Sequence, residues 1–95
     1  MEVLAEITFL NIPRPKYAYR YFGKGFWVRM DSEMFDDLPC ALAFEQGKEY
    51  YDGDTATVII GIDQEDDRSK AILDHMEFRL RVVNVVVAKG KVIIE

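Results

Sequence analysis

Arg14, Lys16, Arg20, Lys24 and Arg29 lie between Pro13 and Met30 with no acidic residue among them, interleaved with Tyr17, Tyr19, Tyr21, Phe22, Phe26 and Trp27. Cations next to aromatic rings supply what a nucleic acid needs from a protein: charge to neutralise phosphates and flat faces on which bases stack. In that reading Arg20, Lys24 and Arg29 meet phosphates and Tyr19, Tyr21 or Trp27 stack, with Arg14 and Lys16 extending the basic surface. The same residue types also suit an ordinary barrel wall, where aromatic side chains pack a core and Lys and Arg solvate the rim.

The acidic residues are segregated. Asp31 to Asp67 carries Lys48 as its only base, so the molecule is electrically lopsided. Within that stretch Asp63-Gln64-Glu65-Asp66-Asp67 imitates the ligand spacing of a calcium loop, but Arg68 stands where the sharp turn demands glycine, so a solvated acidic loop is expected and no metal site. His75 and Cys40 are the sole residues of their kinds. Asp74 and His75, read as neighbours along a strand, would point to opposite faces, and Cys40 between Pro39 and Ala41 reads as a small buried apolar residue. Ser32 and Ser69 read as loop or cap positions. No catalytic residue is assigned and no cofactor is implied; the chain has no GxxxxGK[ST] loop, so GTP binding and hydrolysis are not expected of it.

The elements that position these residues follow from composition and period. The 95 residues are 49% hydrophobic and 31% charged, with a formal net charge of -5, which fits one packed core and gives no bulk attraction to polyanions. One cysteine excludes an internal disulfide. The acidic opening Met1 to Glu6 is unlike a secretory leader, and the Val82 to Ala88 run is far short of the ~20 residues a bilayer span requires, so a cytoplasmic chain without membrane contact is expected. Strict alternation places Val3, Ala5, Ile7 and Phe9 on a buried face. It does the same for Phe26, Val28 and Met30, for Cys40, Leu42 and Phe44, for Ala56, Val58, Ile60 and Ile62, and for Met76, Phe78, Leu80 and Val82. Ser32 to Leu38 reads as a loop, Tyr51 to Asp54 as a turn with Gly53 at positive φ, and Asp63 to Lys70 as polar loop. Ser69 to Met76 has a weaker reading as a short helix. Val85 to Ala88 and Lys91 to Ile94 read as two further strand segments around Lys89-Gly90. These short strands, without a helix long enough for a parallel crossover, predict an all-β fold over residues 1–95: a single small antiparallel β-barrel.

Ala5-Glu6-Ile7-Thr8-Phe9-Leu10 starts a likeness that continues through Tyr19-Arg20-Tyr21-Phe22, Phe26-Trp27-Val28 and the turn Asp52-Gly53-Asp54 with Thr55-Ala56-Thr57-Val58. It closes with Leu73 to Phe78, Arg79-Leu80-Arg81 and Val87-Ala88-Lys89-Gly90, where Phe78, Arg81 and Gly90 keep a characteristic spacing. In these segments, nearly end to end, the chain resembles the C-terminal β-barrel, the third domain, of translation elongation factor Tu and related translational GTPases. The resemblance implies a six-stranded antiparallel barrel and a binding role towards transfer RNA or a translation-related protein, since in that family another domain performs GTP hydrolysis. Two departures stand out. Asp52 replaces the family's turn proline, and the paired glycines of the last hairpin give way to Val83-Asn84, where Asn84 is the residue expected to accept a left-handed backbone. The expectation is therefore a non-catalytic module binding structured RNA or a partner through Arg14 to Arg29. The alternative, from another class, is an acidic protein-binding or inhibitory module using residues 31–67. The oligomeric state is left open by the sequence.

Overall fold

The computed structural model describes residues 1–10, 21–22, 26–43 and 49–93; for residues 21, 22, 26, 49 and 50 it describes the backbone alone. Alternating apolar residues become strands wherever the sequence carries them: β1 (Glu2–Phe9), β3 (Phe26–Asp31), β4 (Leu38–Ala43), β6 (Thr55–Ile62), β7 (Glu77–Val82) and β8 (Val85–Val92), with short β2 (Tyr21–Phe22) and β5 (Glu49–Tyr50) between them. The six longer strands close into a barrel in the order β1-β6-β4-β3-β7-β8, and β2 pairs with β5 in a separate two-stranded sheet. Every neighbouring pair is antiparallel. β1 is the seam, its residues Ala5 to Phe9 pairing with β8 while Glu2 to Thr8 pair with β6. Closure leaves no unpaired edge on the six strands.

In β1 and β6, and for the described side chains of β3 and β4, the inward row is the apolar set that the period predicts, and β7 follows it through Leu80. Val3, Ala5, Ile7 and Phe9 are buried, as are Val28 and Met30, Leu38, Cys40 and Leu42, Ala56 to Ile62 on alternate positions, and Phe78 and Leu80. Phe35 and Ile72 join this core from the connecting loops. A small barrel is filled by setting small residues against large ones. Ala88 lies between Phe9 and Leu80, and Gly90 between Ile7 and Phe78, in the cross-strand register. A Cβ on Gly90 would stand 2.7 Å from Ile7 Cγ2 and from Phe78 Cζ and 2.8 Å from the Glu6 carbonyl oxygen. Gly90 is therefore there to make room for two large neighbours. For that reason Lys89-Gly90 is no turn: β8 runs unbroken where the sequence suggests two segments.

Four other expectations change. β4 begins at Leu38, two residues before Cys40, and Phe44 lies outside the described residues. Val82 is exposed, because a register shift between Leu80 and Arg81 breaks the alternation of β7. The helical turn after the acidic loop is a 3-10 segment, Asp67–Ala71, capped by Asp66 rather than by Ser69. In the last hairpin Val83 takes the positive φ, 54°, and Asn84 does not. The turn at Gly53 is as expected, with φ 88° and the Gly53 N–H donating to the Phe9 carbonyl at 2.7 Å. Among the described residues no helix is long and apolar enough to cross a membrane.

Candidate binding surface

Trp27 and Arg29 are alternate residues of β3, so both project outward while Val28 and Met30 fill the core. Trp27 is 76% exposed; its register partner on β4 is Ala41, whose own partner on β6 is Gly61, so the row beside it on that side is small. The indole thus stands clear of the wall. Tyr21 is placed by its backbone in β2, opposite Tyr50. Arg14, Lys16, Tyr19, Arg20 and Lys24 lie outside the described residues, so of the basic aromatic segment the structure brings together Trp27 and Arg29.

Arg29 is opposite Arg81 of β7. Two like charges facing each other across a ladder repel, and carboxylates offset them here. Arg81 Nε donates to Asp31 Oδ2 at 2.9 Å, and its Nη2 donates to Asp37 Oδ1 at 2.9 Å and to Asp31 Oδ1 at 3.3 Å. Arg29 Nε approaches the same Asp37 Oδ1 at 3.9 Å, an exposed and weak pairing. Asp31 continues the outward row of β3, yet loop 32–37 folds over it and leaves its side chain 13% exposed. The Arg81 guanidinium holds the Asp31 carboxyl below its usual range, and the Asp37 N–H donating at 2.8 Å adds to the effect. On the other side of this loop Arg68 donates to the carbonyls of Asp36 and Asp37 at 2.9 and 3.0 Å and to Asp66 Oδ2 at 2.6 Å, which holds Asp66 down to about 2.

Much of the acidic stretch is therefore engaged within the molecule. Asp31, Asp37 and Asp66 serve arginines; Asp54 accepts from the Tyr51 N–H and Asp63 from the Glu65 N–H. Among the described residues no three His, Cys, Asp or Glu side chains are arranged to hold a metal ion. Cys40 is fully buried, and loss of water pushes its thiol up to about 12, so it stays protonated at neutral pH. Asp74 and His75 are not strand neighbours: they form a turn, with His75 at φ 64°, and His75 Nε2 meets Asp74 Oδ2 at 3.3 Å. Ser32 lines the same groove as His75, but no hydrogen bond joins them; the Ser32 hydroxyl oxygen accepts from the Met34 N–H at 3.1 Å.

That groove, about 720 Å³ and open to solvent, contains the residues the sequence reading missed. Its floor is the outward face of β1, β8 and β7, where register aligns Thr8, Lys89 and Arg79 in one row and Glu6, Lys91 and Glu77 in the next. The signal in the sequence was weak: Arg79 and Arg81, then Lys89 and Lys91, repeat at the two-residue spacing of an exposed strand face. What assembles them is the hairpin register, which no single segment reveals. No protein-family model matches the chain, and a search of curated proteins returns no significant match.

Proposed function

We propose that the chain is a non-catalytic binding module, related to the third domain of elongation factor Tu and acting in translation in the cytoplasm, and that it takes structured RNA on the outward face of β3. The observation carrying this reading is Trp27, 76% exposed and two residues from Arg29 on the same face. A stacking ring beside a cation, in an acidic protein, is the minimal unit for a base and its phosphate. In the sequence Arg14, Lys16, Tyr19, Arg20, Tyr21 and Lys24 belong to the same basic aromatic segment. The acidic alternative has less behind it, since several of the carboxylates it requires already hold arginines.

Titrating bulk transfer RNA against the emission of Trp27 tests the reading, at low and at raised salt with heparin as a polyanion control. The expected result is a saturable change with RNA, absent with heparin, that weakens as salt rises. Arg29→Ala should lower the salt slope by about one. No change in emission at low salt, or an equal response to heparin, would overturn RNA binding on this face.

A further inference from the structure

Thr8, Lys89, Arg79 and Asp31 lie side by side across β1, β8, β7 and β3. Asp31 is hydrogen-bonded to Arg81 and also feels the charge of its register partner Arg79, while Lys89 and Arg79 face each other as like charges; neither makes an ion pair or side-chain hydrogen bond among the described residues. Like charges directly opposite destabilise a sheet. The neighbouring row is arranged differently, because Lys91 stands between Glu6 and Glu77. Two adjacent cations thus share one row of the groove floor, where Asp31 at its end acts on Arg79 through charge alone, while Glu6 and Glu77 flank Lys91 and Glu33 lines the groove as well. Ser32, buried at the groove wall, accepts from the Met34 N–H, and its hydroxyl proton has no acceptor among the described residues. Met34, 65% exposed, and half-buried Met76 supply adaptable apolar surface on the walls.

We infer that this groove binds a phosphate monoester with an aromatic or other apolar body. A guanidinium fork, an ammonium group and a hydroxyl donor together suit the three terminal oxygens of a phosphate better than the two of a carboxylate. The groove's volume of about 720 Å³ accommodates a small molecule of that kind, with its body against Met34 and Met76. Bound anion offsets the repulsion between Lys89 and Arg79. The site is independent of the RNA reading, which rests on Trp27.

The test follows backbone amide shifts of Ser32, Lys89 and Gly90 on titration with phenyl phosphate, inorganic phosphate and benzoate. Phenyl phosphate should saturate these shifts and bind more tightly than either of the others. Arg79→Gln and Lys89→Gln should each raise its Kd by about tenfold, the effect of one lost charge-assisted hydrogen bond, whereas Lys91→Gln, already offset by two glutamates, should stay within about twofold. Lys89→Gln removes a repulsion and no ion pair among the described residues, so without ligand it should unfold at or above the wild-type temperature. Absence of saturation through about 10 mM, equal effects of all three substitutions, or equal affinity for inorganic and phenyl phosphate would overturn the inference. So would a marked loss of ligand-free stability in Lys89→Gln. None of these readouts depends on Trp27 emission, so the RNA reading and this one fail separately.

Discussion

Val83 carries its backbone at φ 54° with a β-branched side chain that is 75% exposed, so no packing of that side chain offsets the conformation. Its carbonyl accepts from Arg81 Nη1 at 2.6 Å, which ties the strained residue to the arginine holding loop 32–37. A left-handed backbone costs an L-residue about 1–2 kcal/mol, and asparagine tolerates it best among residues other than glycine. Val83→Asn keeps the carbonyl and removes most of that cost. It should raise the unfolding free energy by about 1 kcal/mol in urea denaturation, with an unchanged slope. An unchanged or lower stability would mean that the turn relaxes around valine without strain. The sequence pointed to Asn84 because residue type was the only guide. Which of the two turn residues takes positive φ is decided by the register of β7 and β8, including the shift after Leu80.

Loop 32–37 has little apolar surface beyond Phe35 to bury, and two arginines from distant strands and loops hold it in place. Removing Arg81 would strand the Asp31 carboxylate, 13% exposed, beneath that loop. Breaking a pair from one side leaves the remaining charge without its partner, at a cost that falls where water still reaches the site. Arg81→Ala should therefore lower the urea midpoint, and adding Asp31→Asn should recover part of that loss by removing the unpaired charge. Additive losses in a double-mutant cycle would show that the two residues act separately. The strands themselves were legible, since the alternation in Val3 to Phe9 or Ala56 to Ile62 specifies both an element and its buried face. The Asp31–Arg81 contact and the Lys89–Arg79 row were not, because they join residues far apart in sequence or across a hairpin and depend on register. Of the basic aromatic surface, Trp27 and Arg29 were legible as an outward pair, for the same period-2 reason.

At the scale of the whole molecule, acid acts through two mechanisms that salt separates. Asp31 and Asp66 both titrate in the folded chain below their ordinary value near 3.8, so each contributes stability that is complete above about pH 5 and is lost as the pH falls through the folded value, about 2 for Asp66. Over the same range protonation of the 17 acidic residues leaves 12 Lys and Arg without counter-charge, including the facing pairs Arg29–Arg81 and Lys89–Arg79. Repulsion among exposed cations is screened by salt, whereas the Asp31–Arg81 contact under its loop is screened much less. The thermal midpoint should show little change from these carboxylates between about pH 5 and 7 and then fall steeply below about pH 4. Raised salt should restore part of that fall in the wild type. Asp31→Asn, which has no carboxyl to protonate at that position, should begin less stable at pH 7 and lose less on acidification, with salt reversing the part of its remaining loss that comes from repulsion while the part from Asp66 persists. A wild-type acid transition abolished by salt, or an Asp31→Asn curve parallel to it, would place the acid sensitivity in general repulsion and remove the loop 32–37 network as its cause.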